Sequence, residues 1–203
     1  GGGAAALVSI VEYLKLGADA STAQVFFTVF TVLVGCVSFS GSIITFLKLQ
    51  ELMTTRPVIF PGGRFIIAAN LAGAIGVAGW VVKDQGTAPL LILAGLSLLF
   101  GVLFVLPVGG ADVPIVISLL NAFTGLTVAA GGYVLDSMLL LIAGTLVGAS
   151  GTILTRLMAE AMGRSLFGTL FGAFTAKPQQ STGAEENRPV RSGSPDDVAI
   201  LLN

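Results

Sequence analysis

The sequence predicts an all-α fold: a polytopic transmembrane helix bundle with five full spans, a partial first span and a flexible cytoplasmic tail. Composition is the first observation behind this. Of 203 residues, 54% are hydrophobic and only 10% charged, and the mean hydropathy is +0.94. A soluble domain carries about 25% charged residues. The second observation is that the apolar residues gather in stretches close to the roughly 20 residues a spanning helix needs. The third is physical. In hydrocarbon every backbone amide must pair within its own segment, which an open sheet cannot do.

The elements follow in order. A short apolar stretch from about Gly1 to Leu14 reads as the back half of a span. The second stretch runs from about Thr22 to Leu47, the third from Phe65 to Val82, and the fourth from about Pro89 to Leu106. The fifth runs from Val113 to Leu135 and the sixth from about Met138 to Met158. Lys83-Asp84-Gln85-Gly86 is a turn, with Trp80 as an interfacial anchor before it. Pro107 to Ala111 is a tight Gly-rich link, and Pro114 suits the first turn of the fifth helix. Asp136 or Ser137 can cap the sixth. The longest link, Gln50 to Gly63, holds Arg56-Pro57 and Pro61-Gly62-Gly63.

Orientation follows from lysine and arginine. One set of loops holds Lys48, Arg56, Arg64, Arg156, Arg164 and Lys177, and the opposite set only Lys15 and Lys83. Positive charge marks the cytoplasmic side, so the C-terminus is expected there. The membrane domain is read as 1–176. Residues 177–193, rich in Gln, Ser, Gly, Glu, Pro and Arg, read as a flexible linker. At 194–203, Ser194-Pro195-Asp196-Asp197 has the cap, proline and acids of a helix start, and reads as the beginning of a soluble domain. The front, Gly1-Gly2-Gly3, has no initiator Met and no basic region, so no signal peptide is read and a longer parent is expected.

Several classes are excluded. A net charge of −1 gives no electrostatic case for nucleic acid. There is no histidine, which removes the usual proton shuttle and the commonest zinc ligand. The single cysteine, Cys36, lies in an apolar run and reads as a buried small hydrophobe. No metal-ligand spacing, Ser/His/Asp set or phosphate loop is present, so no catalytic, cofactor-binding or metal site is assigned within this stretch.

The candidate site lies on the fifth helix. Asp112 stands at its entrance and Asn121 about 13 Å deeper, at 1.5 Å rise per residue. Ser118 and Thr124, three residues either side of Asn121, extend a polar stripe. Intramembrane polar groups line ion paths or pair inside a bundle, and the plainer alternative is that Asp112 caps the helix and Asn121 bonds across the bundle. In helix two, Ser38, Ser40, Ser42 and Thr45 bond their own backbone or line a wet path. Gly144 and Gly148 form a GxxxG pair that Gly151 continues, which reads as close helix packing. Asn70, near Gly73 and Gly76, reads as a packing residue, and Glu12 as solvated.

These strings carry a resemblance. Gly109-Gly110-Ala111-Asp112-Val113-Pro114, then Ser118-Leu119-Leu120-Asn121-Ala122-Phe123-Thr124-Gly125, are similar to the beta subunit of proton-translocating NAD(P) transhydrogenase. So are Gly144 to Leu154, Met162-Gly163-Arg164-Ser165-Leu166, and Ser38 to Ile44 with Lys48-Leu49. The matches run in order across about Thr22 to Ala173.

The resemblance implies a role. The family exchanges a hydride between NADH and NADP⁺ in soluble domains and couples it to proton movement through a membrane domain. It implies a dimeric complex with alpha-type subunits that bind NAD(H), and an NADP(H)-binding domain beyond the linker. It places Asn121 on the proton path, with Ser42 as a matching hydroxyl. Asp112 and Arg164 meet the NADP(H)-binding domain, and Gly144, Gly148 and Gly151 form the glycine face leading to a hinge. The expected location is the bacterial inner membrane or its equivalent. Gly163 departs from the family's usual Asn, and the family's channel His, on the helix before Gly1, has no substitute here. The alternatives are a plain transporter or channel module, or a passive anchor. Against the first stands the lack of inverted-repeat symmetry; against the second, the cost of polar groups near lipid.

Overall fold

The computed structural model describes residues 1–165 and Gly168. The linker and soluble-domain start expected at 177–193 and 194–203 lie outside the described residues. Among the described residues the regular structure is helical: α1 (Gly2–Leu16), α2 (Thr22–Leu49), α3 (Gly63–Asp84), α4 (Thr87–Val105), α5 (Val113–Val134) and α6 (Met138–Ala161). Helices α2 to α6 are each long and apolar enough to cross a membrane. The all-α bundle predicted from the sequence is what forms.

The local reasons are visible at the helix ends. Ser21 caps α2, its hydroxyl accepting from the Gln24 N–H while the Gln24 side chain accepts from the Ser21 N–H. Pro114 sits in the first turn of α5, where its missing N–H leaves no gap. The expected caps on α6 and α5 are corrected. Ser137 holds the N-cap position of α6 without a side-chain bond. Asp136 instead closes α5, in the left-handed region at φ 52°, its N–H donating to Tyr133 O and that of Ser137 to Gly132 O. Asp112 precedes α5 but makes no cap bond either.

Helix α2 is the hub. It packs on α1, α4 and α5, while α3 lies against α4 and α6 against α5. One core cluster joins Ala6, Tyr13, Val25, Val32, Leu90 and Leu93, and another joins Ile44, Val105, Val116 and Leu120. Cys36 is buried and free, as its setting predicts. Large apolar side chains such as Leu7, Phe65 and Leu139 face outward, which suits hydrocarbon as solvent. Gly2, at the start of α1, meets Gly35 O and Ser38 halfway along α2. Helix α1 therefore runs from the middle of the bundle to one face, as half a span would.

The loops alternate between two faces. One, the Asp136 side, carries the α1–α2, α3–α4 and α5–α6 turns. The other, the Asp112 side, carries Gln50 to Gly62, Leu106 to Asp112 and the exit of α6. On the Asp112 side the loops are tied together: Val58 N–H donates to Leu106 O at 3.1 Å and Gly110 N–H to Thr55 O at 2.9 Å.

Candidate functional site

Helix α5 carries its polar residues along its length, and their surroundings differ. Ser118 is buried against α6, where its Oγ accepts from Thr155 Oγ1 at 2.9 Å. Thr124 turns toward α2, its Oγ1 lying 2.7 Å from Ser38 Oγ. Asn121, between them in sequence, is exposed on the outside of the fold. Residues three apart on a helix differ by about 60° in direction. The stripe expected from spacing is thus divided among an α6 contact, an open face and an α2 contact.

The Ser38–Thr124 pair has a particular chemistry. Leu120 O is within reach of both hydroxyls, 2.9 Å from Ser38 Oγ and 3.0 Å from Thr124 Oγ1. Each hydroxyl has one proton to donate. Either Ser38 donates to Leu120 O while Thr124 donates to Ser38, or the reverse. Two orientations of one short chain is what a proton relay requires. Ser42, one turn from Ser38, is exposed and donates to Ser38 O at 2.6 Å. Ser40 and Thr45 donate to carbonyls one turn back, Cys36 O and Gly41 O, so their hydroxyls stay local.

At the Asp112 side, Arg164 Nε lies 3.2 Å from Asp112 Oδ1, an ion pair joining the mouth of α5 to the residue just past α6. The helix end places it. Gly163 is left-handed at φ 63°, its N–H donating to Glu160 O and that of Arg164 to Ala159 O. This is the double bond of a glycine-terminated helix.

The glycine face of α6 packs closely on α5. A Cβ at Gly144 would lie 2.7 Å from Gly125 O and 2.8 Å from Ala129 Cα. One at Gly148 would lie 2.8 Å from Leu126 Cδ2, and one at Gly151 3.0 Å from Ala122 Cα. Helix α5 answers with Gly125 and Gly132, which meet the backbone of α6 in turn. Asn70 is buried, as the packing expectation has it, with its Oδ1 unpartnered. Glu12 pairs with Lys15 at 3.2 Å.

Sequence reasoning missed Lys48 as a structural residue, taking it only as a loop charge. Its side chain is 1% exposed, and Nζ donates to Val105 O at 3.2 Å, Leu106 O at 2.6 Å and Val108 O at 2.7 Å. A cation there meets the carbonyls left free where α4 ends. The available signal was its place in the last turn of an apolar helix. Among the described residues no group of acids or cysteine could hold a metal ion.

The whole chain, residues 1–203, matches the family model described as NAD(P) transhydrogenase beta subunit. Similar proteins include two named NAD(P) transhydrogenase subunit beta, one from Rhodospirillum rubrum and one from a designated strain of that species. Each is 37% identical over 171 residues, covering 83% of this chain and 37% of the relative. The chain belongs to the NAD(P) transhydrogenase beta-subunit family. It spans little more than a third of the length of these relatives. With five spanning-length apolar helices, it is an integral membrane protein.

Gly163 has a physical account at its position. The position is left-handed, and glycine and asparagine are the residues that most readily take that conformation at a helix end. Gly163 therefore suits the turn that sets Arg164.

Proposed function

We propose that this chain is the membrane portion of a proton-translocating transhydrogenase. It couples hydride transfer between NADH and NADP⁺ to proton movement across the bilayer. The observation that carries this is Asn121, an amide held on the open face of a spanning helix, one turn from the Ser38–Thr124 hydroxyl chain. Leaving an amide in hydrocarbon is costly, so such a residue marks a path. Asn121, Ser42, Ser118 and Thr124 are assigned to that path.

NADP(H) and NAD(H) bind soluble domains outside this stretch, the former following the linker at 177–193 and the latter on alpha-type subunits in a dimeric complex. This stretch transfers no hydride itself. The excess of positive charge on the Asp112 side supports a cytoplasmic location for it and for the C-terminus. The Asp112–Arg164 ion pair lies where that NADP(H)-binding domain would bear on the bundle, and the glycine face of α6 leads to it. For coupling, the two membrane states must differ in free energy of interaction with the soluble domain.

The test is proton uptake in sealed vesicles holding the intact beta subunit with its alpha-type partners, given NADPH and an NAD⁺ analogue. Uptake should require both nucleotides and vanish in Asn121→Leu while the complex stays assembled. Wild-type uptake in that variant would sink the assignment.

A further inference from the structure

Asp112 is held in place by backbone rather than by its side chain. Its Oδ1 is buried and makes no aligned hydrogen bond, and the residue gives α5 no cap bond. Its contact with Arg164, at 3.2 Å, is to a side chain 53% exposed, and an exposed ion pair fixes little. What fixes Asp112 is the link before it. Asp112 N–H donates to Gly109 O at 2.9 Å, Gly110 N–H to Thr55 O at 2.9 Å, and Val58 N–H to Leu106 O at 3.1 Å. Link and facing loop also touch: a Cβ at Gly109 would lie 3.4 Å from Pro57 Cγ, and one at Gly110 3.4 Å from Thr55 Cβ. Lys48 joins this link to α2. Its ammonium donates to Val105 O, Leu106 O and Val108 O, and Val108 stands four residues before Asp112. An ammonium has three protons, and here all three are engaged. Lys48 is 1% exposed and, among the described residues, pairs with no carboxylate. A charge buried in that way is costly.

We propose that Lys48 is a positioning residue for coupling: its ammonium holds the link from Leu106 to Gly110 so that Asp112 stands within ion-pair reach of Arg164. The proposal rests on the coupling role given above to the Asp112–Arg164 pair. The three carbonyls explain the residue type. They belong to a chain leaving its helix, and a donor with three protons on a flexible stem meets all of them. A carboxamide, with two protons, does not. Lys48 also opens the facing loop, since Glu51 N–H donates to Lys48 O at 3.2 Å and Met53 N–H to Leu47 O at 3.1 Å. One residue thus ties together both halves of the platform from which Asp112 projects. Without the ammonium the three carbonyls lose a charged donor, and the link shifts to replace it. Asp112 then moves away from Arg164, while α5 and α6 stay packed through their glycines.

The test is coupled proton uptake in vesicles holding the intact beta subunit with its alpha-type partners. Lys48→Met should lower uptake about tenfold or more, as expected for the loss of hydrogen bonds from a charged donor. Lys48→Gln keeps two N–H groups on a similar stem and should lower uptake less. It carries the same test if Lys48→Met does not assemble. Epistasis with Asp112 is the readout that a merely structural role would not move. Adding Lys48→Gln to Asp112→Asn should lower uptake no further, because Lys48 acts through Asp112, whereas independent defects multiply. A map of the assembled Lys48→Gln complex should show Asp112 and Arg164 out of ion-pair contact. Defects that multiply, or an intact Asp112–Arg164 pair in that map, overturn the positioning role. Wild-type uptake in Lys48→Gln, with Asp112→Asn impaired, overturns it too and leaves the parent reading standing. Wild-type uptake in Asp112→Asn overturns both this role and the coupling role of the ion pair.

Discussion

Replacing Gly144 by alanine should weaken the α5–α6 pair by about 2–5 kcal/mol, summing the two terms below. The added Cβ would stand 2.7 Å from Gly125 O and 2.8 Å from Ala129 Cα. Carbon contacts are most favourable at about 3.5–4.0 Å, so the helices must separate by roughly 1 Å. Overpacking of this kind costs about 1–3 kcal/mol. The 2.9 Å Thr155–Ser118 bond lies on the same interface. Stretched by that separation it is lost, at about 0.6–1.7 kcal/mol for an interhelical bond in a membrane. Alanine also favours helix over glycine by up to about 1 kcal/mol, which must be cancelled by a control. Gly76→Ala provides it, because a Cβ there meets nothing within 4 Å. The assay is reversible unfolding of both variants in detergent micelles, with the difference between them isolating the packing cost. Equal stability of Gly144→Ala and Gly76→Ala would refute the close-packed glycine face.

Lys48→Met should destabilise the fold by about 2–4 kcal/mol. Charged hydrogen bonds are worth about 1.5–3 kcal/mol each, and release from burying the ammonium offsets part of the loss. Unfolding midpoints check this, and an unchanged midpoint would show that the carbonyls do not need the cation. At Gly163, asparagine should change stability by only a few tenths of a kcal/mol, whereas valine should cost about 1–2 kcal/mol for the left-handed turn. Amide exchange at Gly163 and Arg164 reads this locally, and equal protection in both variants would count against the helix-end geometry. The Asp112–Arg164 pair is half exposed on the arginine side at 53%, so Asp112→Asn should alter stability by less than about 1 kcal/mol. Coupled proton uptake should nonetheless fall, and the Asp112→Arg/Arg164→Asp swap should recover part of it. A swap no better than either single change would separate the ion pair from coupling.

Helix positions were legible because apolar length and punctuation carry them. Each spanning helix expected from the sequence lies within about three residues of its observed ends. The glycine face of α6 was legible too, since three glycines at helical spacing leave one surface without side chains. Direction was not legible. Helix α5 is apolar nearly all round, so no amphipathic pattern shows which way Asn121 points. Spacing alone could not separate the surroundings of Ser118, Asn121 and Thr124. Lys48 was read as a loop charge because a lysine ends an apolar run as naturally as it caps a neighbour. The carbonyls it meets lie 57 to 60 residues away in sequence. That Ser9, Tyr13 and Thr31 are buried without hydrogen-bond partners depends on how three helices meet, which no local pattern encodes.

The packing also indicates which parts would move together. Helices α5 and α6 meet backbone to backbone through Gly125, Gly132, Gly144 and Gly148, and tight packing of that kind resists sliding. Between α5 and α2 the contact differs. It runs through side chains, with the Ser38–Thr124 bond near its middle and Leu120 against Gly41. A force applied at Arg164 reaches α5 through Asp112 and through α6 alike. It would therefore turn the α5–α6 pair as a body against α2, while Lys48 holds α2 to the end of α4. The hydroxyl pair stands on that boundary, and a small rotation would favour one of its two orientations over the other. Under the proposed function, gating of this pair by domain contact would need no long-range distortion of the bundle. It needs one rigid pair, one fixed frame and a short polar bond between them.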